Sequence, residues 1–273
     1  MSDALTIGFL GAGKMATALA RGFVRSGLVT PENIIASDTV PAAAAAFTAE
    51  TGARTTGSNL AVLQFARVIW LAVKPGQVAE VLAGIRPEFS RNHLLISIAA
   101  GLPLVRLEDA LGTGARVIRV MPNTPALVGE SASAFSAGRA ATPADTALAQ
   151  QLLSGVGLAY QVKESLLDAV TGLSGSGPAY VYMMIEALSD GGVAAGLPRD
   201  IAIQLAAQMV YGSAKMVLDT GLHPGTLKDM VTSPGGTTIE GVHELEKAGM
   251  RGAFMSAVRA SAEKARKIGQ HGA

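Results

Sequence analysis

The feature that most constrains the fold is a regular alternation of short β-rich runs with helical stretches, which begins near residue 5 and stops near residue 162. Such alternation is typical of βαβ units, whose parallel strands are joined by covering helices. Beyond Lys163 no β-rich run appears, and long segments rich in Ala, Leu and Met have helical spacing. We therefore predict a doubly wound α/β domain over residues 1–162 and an all-helical domain over residues 163–273.

The predicted elements follow from the apolar periodicity and from the Gly and Pro residues that bound it. The strands are predicted at residues 5–10, 33–37, 68–72, 94–98 and 117–121, with 131–135 and 158–162 at the edge of the sheet. Helices of the first domain include residues 14–25, 41–51 and 75–85. The second domain is predicted as a bundle with helices at residues 180–195, 200–218, 224–231, 238–248 and 251–267.

A glycine-rich turn lies at the first strand-to-helix junction, in a G-x-G-x-x-A pattern. In this pattern Gly11 permits the tight turn, Gly13 lets backbone N–H groups approach a pyrophosphate, and Ala16 allows close packing of helix and strand. The helix start adds unpaired N–H donors and partial positive charge. We therefore predict a Rossmann-like dinucleotide-binding domain, with cofactor contacts from Leu10, Gly11, Ala12, Gly13, Lys14 and Met15.

The choice between the two nicotinamide cofactors rests on residues after the second predicted strand. Asp38 lies where a carboxylate accepts from the ribose 2′-OH of NAD and repels a 2′-phosphate. Ser37 and Asn59, together with Thr39, are candidate donors to that phosphate. A solvated strand-end role for Asp38 also fits, so NADPH and NADH both stay open.

Further cofactor contacts are expected where other strands end, because ligands of open α/β sheets bind at the carboxyl ends of the strands. Ala72, Val73 and Lys74 end one strand, and residues 99–101 follow the next. Lys74 is a candidate catalytic acid, but a lysine lying beside bound cofactor is the better interpretation.

Charge and composition exclude several classes of protein. The 22 basic and 21 acidic residues leave a net charge of +1 with no block of like charge, so we expect no nucleic-acid partner. The absence of cysteine excludes disulfides and thiolate catalysis, and the four histidines lack metal-ligand spacing, so no metal site is predicted.

Hydropathy gives expectations about location and assembly. The chain opens directly into a strand, and the apolar window at residues 94–105 is too short to span a bilayer, so we expect a cytoplasmic protein without a membrane partner. Hydrophobic residues make up 49% of the chain and charged residues only 16%. This balance predicts that some apolar surface is buried between the subunits of an oligomer.

Three further stretches are more specific than the glycine loop. They are RVMPNTP at residues 119–125, VTGLSGSGPAY at 170–180 and LKDMVTSPGGTTI at 227–239. Together with the glycine loop, and in this order and spacing, they resemble the pyrroline-5-carboxylate reductase family over nearly the whole chain.

The resemblance implies hydride transfer from reduced NADP or NAD to the imine carbon of 1-pyrroline-5-carboxylate, which yields L-proline, the last step of proline biosynthesis. It implies a helical domain that binds substrate and forms the dimer. Pro122 and Asn123 would lie near the nicotinamide, and Thr238 would place its hydroxyl, as the catalytic group, near the ring nitrogen. The residues implied to bind the substrate are Ser174, Gly175, Ser176, Gly177, Gly235, Gly236, Thr237 and Thr238.

Plainer interpretations and other functions remain open at this point. Residues 233–238 also fit a helix cap with its Pro-Gly-Gly turn, and 173–178 fit a flexible hinge that coexists with binding. A β-hydroxyacid dehydrogenase would share this layout, but it needs a basic residue that the predicted helix 180–195 lacks. A sensor that binds NAD(H) without turnover is the third alternative.

Overall fold

The computed structural model describes residues 4–271, and its first part is built on one eight-stranded sheet. The strands are β1 (Ile7–Leu10), β2 (Ile34–Ser37), β3 (Arg54–Thr56), β4 (Val68–Leu71), β5 (Leu94–Ser97), β6 (Arg116–Met121), β7 (Ser131–Ala137) and β8 (Gly157–Gln161). Their spatial order is β3-β2-β1-β4-β5-β6-β7-β8. Neighbouring strands run parallel except for the antiparallel pair of β6 and β7.

The topology creates a switch point beside β1. The chain proceeds from β1 outward through β2 and β3, and then returns to place β4 on the other side of β1. Connections on the two sides of such a point leave in opposite directions, so a crevice opens at the carboxyl ends of β1 and β4. The glycine-rich turn follows β1 directly and therefore lies at this crevice.

Helices cover both faces of the sheet, and alternate strand residues fill the core on each face. In the sheet unit they are α1 (Lys14–Arg25), α2 (Pro41–Thr51), α3 (Asn59–Phe65), α4 (Val78–Ile85), α5 (Leu104–Leu111) and α6 (Pro143–Ser154). Phe9 and Trp70 belong to the cluster on one face, where Phe23 of α1 joins them, while Leu10 and Ile69 belong to the cluster on the other. Burial on both faces explains why the central strands are continuously apolar.

The rest of the described chain is helical. After β8 come α7 (Leu167–Val170) and a π-helical turn (Thr171–Gly175), followed by α8 (Gly177–Ala194), α9 (Arg199–Thr220), α10 (Pro224–Met230), α11 (Thr237–Lys247) and α12 (Met250–His271). By their contacts, residues up to Ser176 and from Arg259 onward form one compact unit, and Gly177–Val258 form a second. The first is called the sheet unit below, and the second the helical unit.

The predicted fold class, a Rossmann-like domain followed by a helical domain, is confirmed, with corrections of detail. The strand β7 is not at an edge, because it pairs with β6 on one side and β8 on the other. In the segment 173–178 the π-helical turn ends at Gly175 and α8 begins at Gly177, and the role of the segment as a flexible hinge stays a prediction. The short strand β3 was missed because its three residues are partly exposed and carry no apolar alternation. The predicted domain ranges 1–162 and 163–273 differ from the compact units and stay a prediction.

The expectation of no membrane partner rested on the short apolar window at residues 94–105. The helix α9 is a longer apolar segment than that window. By length and composition it resembles a membrane span, although only 11% of its most apolar window is buried within the chain. A single such helix is weak evidence for a span.

Candidate active site

The glycine-rich turn packs tightly against the end of the neighbouring strand. Gly11 has a φ of +98°, and a Cβ built on it would lie 3.0 Å from the carbonyl carbon and oxygen of Ala72. Its N–H donates to the Ser37 carbonyl at 2.8 Å. Since L residues with a side chain rarely adopt this backbone conformation, position 11 requires glycine on two grounds.

Gly13 and the start of α1 form an open cradle of backbone donors. Gly13 is the N-cap of α1, and a Cβ built on it meets no atom within 4 Å. No side chain caps this helix start, and its first turn contains no acidic residue. The N–H groups of the first turn are therefore left for an anionic ligand, which is the arrangement a pyrophosphate requires.

Asp38 holds the glycine-rich turn in place. Its Oδ2 accepts from the Ala12 N–H at 2.8 Å, and its Oδ1 accepts from the Val40 N–H at 2.8 Å. Each of its oxygens thus already has a backbone donor, one from the glycine turn and one from the chain after β2. The sequence did not predict these two hydrogen bonds. From the sequence, Asp38 was expected either to contact the ribose or to be a solvated residue.

Ser37 and Asn59 are coupled to each other. The Ser37 side chain is buried, and its hydroxyl donates to Asn59 Oδ1 at 2.6 Å. This leaves the amide nitrogen of Asn59, and not the Ser37 hydroxyl, as the group that can donate to a cofactor. The Ser37 hydroxyl is thus already bonded within the protein, and its predicted contact with the cofactor stays a prediction.

The strand ends beside the turn are arranged as predicted. Ala72 and Val73 lie against Gly11, with Val73 Cγ1 3.1 Å from the position of the built Cβ. Lys74 follows them and is exposed. The structure therefore places Ala72, Val73 and Lys74 at the same carboxyl edge as the cradle, where a lysine ammonium adds positive charge.

Asn123 is buried, and its side-chain amide is bonded within the protein. Its Oδ1 accepts from the Ser131 hydroxyl and the Ala132 N–H, both at 3.0 Å, and its Nδ2 donates to the Ser174 carbonyl at 3.0 Å. An α-helical partner for the Ser174 carbonyl would be the N–H of Pro178, which proline lacks. Asn123 supplies the missing donor. This structural role was not among the predictions from the sequence.

The π-helical turn lies directly on the end of β6. Its widened geometry appears in the bond from the Ser176 N–H to the Thr171 carbonyl at 2.9 Å. A Cβ on Gly175 would lie 2.5 Å from Met121 Cε, so glycine allows the close approach. The Ser174 hydroxyl donates to its own helix, and the Ser176 hydroxyl pairs with Ser261 of α12 at 2.8 Å. Both predicted substrate-lining hydroxyls thus already have partners.

The helical unit offers a second open helix start, at α11. Gly236 is the N-cap of this helix, and no side chain accepts a cap hydrogen bond there. Gly235 has a φ of +65°, which turns the chain into the helix. Thr237 and Thr238 are exposed residues of the first turn. The segment thus does form a helix cap with its Pro-Gly-Gly turn, as the plainer interpretation held, but no side chain takes part in the cap, so the first-turn N–H groups are left for another acceptor.

The described part of the chain contains no cluster of side chains that could ligate a metal ion. Between residues 4 and 271 no three His, Asp or Glu side chains are grouped closely enough to hold a metal ion. The donors that both helix starts share are backbone N–H groups, which bind anions.

Comparison with known proteins agrees with these features. Residues 164–268 match the family model described as pyrroline-5-carboxylate reductase dimerisation, and residues 6–101 match the model described as NADP oxidoreductase, coenzyme F420-dependent. A pyrroline-5-carboxylate reductase of Methanosarcina acetivorans is 52% identical over 97% of this chain and 98% of its own. That of Pisum sativum is 50% identical, over 98% and 97% respectively.

A solved structure extends the comparison to three dimensions. The Plasmodium falciparum pyrroline carboxylate reductase, solved with NADP bound, has a TM-score of 0.88 and 35% identity, over 97% of this chain and 98% of that one. A switch-point sheet with an open glycine turn, followed by a helical unit, defines a nicotinamide-dependent oxidoreductase. At this identity over nearly its full length, the chain belongs to the pyrroline-5-carboxylate reductase family.

Proposed function

We propose that this protein reduces 1-pyrroline-5-carboxylate to L-proline with NADPH or NADH. The observation that carries the proposal is the pair of open helix starts, one at Gly13 in the sheet unit and one at Gly236 in the helical unit. The two reactants of this reaction each carry an anionic group, the cofactor a pyrophosphate and the substrate a carboxylate. Each helix start is suited to one of them.

The cofactor side fits a dinucleotide. The open space beside Gly13 and the free N–H groups of the first turn of α1 accommodate the pyrophosphate, and Asp38 keeps the turn in this shape. When bound, the reduced nicotinamide supplies a hydride. The chain's part is to hold and orient it, to which Ala72, Val73, Lys74 and the segment Pro122–Asn123 contribute at the strand ends.

The substrate side needs little acid–base machinery. A protonated imine already accepts hydride at carbon, so the protein has to align the ring and stabilise its nitrogen. In the proposal the first-turn N–H groups of α11, with Gly235 and Gly236, hold the carboxylate, and the Thr238 hydroxyl faces the ring nitrogen. Ser174, Gly175, Ser176 and Gly177 are also assigned to the substrate.

The hydroxyacid dehydrogenase alternative is disfavoured by the helical unit. Such an enzyme needs a base for the alcohol proton, and α8 contains neither lysine nor histidine. The lysine of α9, Lys215, forms an ion pair with Asp219 at 2.5 Å. Faster oxidation of 3-hydroxyisobutyrate than reduction of 1-pyrroline-5-carboxylate would restore this alternative.

Initial-rate assays with purified protein test the proposal. We expect NADPH and NADH to be oxidised only when 1-pyrroline-5-carboxylate is added, with L-proline as the product in equal amount. Cofactor binding without any turnover would instead favour the sensor alternative. The ratio of kcat/KM for the two cofactors gives the preference that the sequence left open.

Asp38→Ala tests whether Asp38 chooses the cofactor or holds the turn. Because its carboxylate accepts from Ala12 and Val40, we expect the affinity for NADH and NADPH to fall together, by about tenfold each. Fluorescence titration with both cofactors measures this. A large gain for NADPH alone would show that Asp38 acts mainly by repelling the 2′-phosphate.

We further propose a homodimer, or a larger assembly, formed through the helical unit. Large apolar side chains are exposed on α8 and α9, among them Met183 at 69%, Leu205 at 55% and Leu218 at 67%. Surface of this kind is costly in water and is suited to a subunit interface. Light scattering should therefore give at least twice the mass of one chain, and the mass of a monomer at micromolar concentration would contradict the proposal.

A cytoplasmic location without a membrane partner is part of the proposal, and cell fractionation tests it.

A further inference from the structure

A buried arginine in β6 has no role in the function described so far. Arg119 is 8% exposed and belongs to the RVMPNTP stretch at residues 119–125. Its Nη1 lies 3.0 Å from Glu164 Oε1, and its Nη2 lies 3.6 Å from Asp168 Oδ1. Removing a guanidinium from water is costly, and buried ion pairs often contribute little net stability. A role in arranging the site is therefore worth testing.

The partners of Arg119 connect it to two segments at the carboxyl edge of the sheet. Glu164 Oε1 also accepts from the N–H of Leu104 at 2.6 Å, which fixes the start of α5 and the loop that leads to it from β5. Asp168 lies in α7, which continues directly into the π-helical turn. That turn is fixed a second time by the Asn123–Ser174 hydrogen bond.

We propose that Arg119 is a positioning residue for hydride transfer. Through Glu164 and Asp168 it holds the loop after β5 and the π-helical turn in fixed places relative to β6. The inference rests on the proposed function, because that function assigns Ser174 of the turn and Ser176, which follows it, to the substrate and the strand ends to the nicotinamide. Hydride transfer is sensitive to small displacements of the two reactants, so loss of Arg119 should slow the reaction more than it weakens cofactor binding.

A second ion pair on the same strand provides a matched control. Arg116 lies at the amino end of β6, and its Nη1 is 2.7 Å from Oδ1 of Asp145 in α6. The Asp145 side chain is only 6% exposed. This pair joins a strand to a helix, as the Arg119 pair does, but at the end of β6 away from the proposed site. Arg116→Met thus removes a comparable structural contact without touching the segments that Arg119 holds.

The test compares Arg119→Met, Arg119→Lys and Arg116→Met in the intact protein, below the melting temperature of each. For Arg119→Met we expect kcat/KM for 1-pyrroline-5-carboxylate to fall between about tenfold and about a hundredfold. The Kd of NADPH should change by less than about threefold, and Arg119→Lys should recover part of the loss. Arg116→Met should keep kcat/KM within about threefold of wild type, even where its melting temperature falls.

Equal kinetic losses in the Arg119 and Arg116 variants, or wild-type kinetics in folded Arg119→Met, would overturn the inference. Should Arg119→Met not fold, Glu164→Leu replaces it, since it removes the oxygen that accepts both from Arg119 and from the Leu104 N–H. A reduced kcat/KM in this variant supports the inference, and an unchanged value refutes it. Wild-type protein is assayed first: if it does not reduce 1-pyrroline-5-carboxylate, the proposed function fails, and not the role of Arg119.

Discussion

Gly13→Val should abolish useful binding of the nicotinamide cofactor while leaving the protein folded. The built Cβ at this position meets no protein atom, and the φ of −73° is one that valine adopts without strain. The added side chain therefore occupies the space in which the pyrophosphate would approach the first-turn N–H groups. Losing two such charge-assisted hydrogen bonds costs about 3 kcal/mol or more, which is on the order of a hundredfold in Kd. Fluorescence titration with NADPH measures the change.

Gly84→Val is the matched control for this prediction. Gly84 lies in α4, and a Cβ built on it also meets no atom within 4 Å. The same chemical change is thus made at an equally open glycine outside the turn, and cofactor affinity should stay at the wild-type value. Unchanged affinity in Gly13→Val, with both variants folded, would show that the dinucleotide does not use this helix start.

Thr238→Ala should slow turnover with little effect on stability. Gly236, and not a threonine, is the N-cap of α11, and no side chain caps this helix start. Replacing an exposed threonine in the first turn by alanine should therefore change the free energy of unfolding by less than about 0.5 kcal/mol. Loss of one hydrogen bond at the reacting nitrogen should lower kcat by about tenfold to about a hundredfold. Steady-state kinetics and thermal unfolding measure the two effects separately.

Thr226→Ala is the matched control for Thr238→Ala. Thr226 is also an exposed threonine in the first turn of a helix, α10. Its replacement should leave kcat unchanged. A drop in melting temperature for Thr238→Ala that accounts for its lost activity would mean that Thr238 serves the structure and not the reaction.

Much of the sheet unit was predictable because its signals are local. Continuous apolar runs such as those of β1 and β4 arise because both faces of these strands are covered. The G-x-G-x-x-A pattern predicted the tight turn after β1 for a reason visible in the structure, since Gly11 leaves no room for a Cβ. The helices of the second part were found from their Gly and Pro boundaries to within a few residues.

The contacts that shape the site could not be predicted in the same way, because they join residues far apart in sequence. The bond from Ala12 to Asp38 and the bond from Asn123 to Ser174 depend on tertiary structure alone. One signal was nevertheless present: Arg119 interrupts an apolar strand, and a charge in such a place requires a partner of opposite charge.

The bond from Ala12 to Asp38 also bears on how tightly a ligand can bind. A glycine-rich segment is ordinarily flexible, and ordering it when a ligand binds consumes part of the binding free energy. Here the carboxylate of Asp38 already restrains the segment in the free protein. The entropic cost has been met during folding, so the donors are preorganised when the dinucleotide arrives.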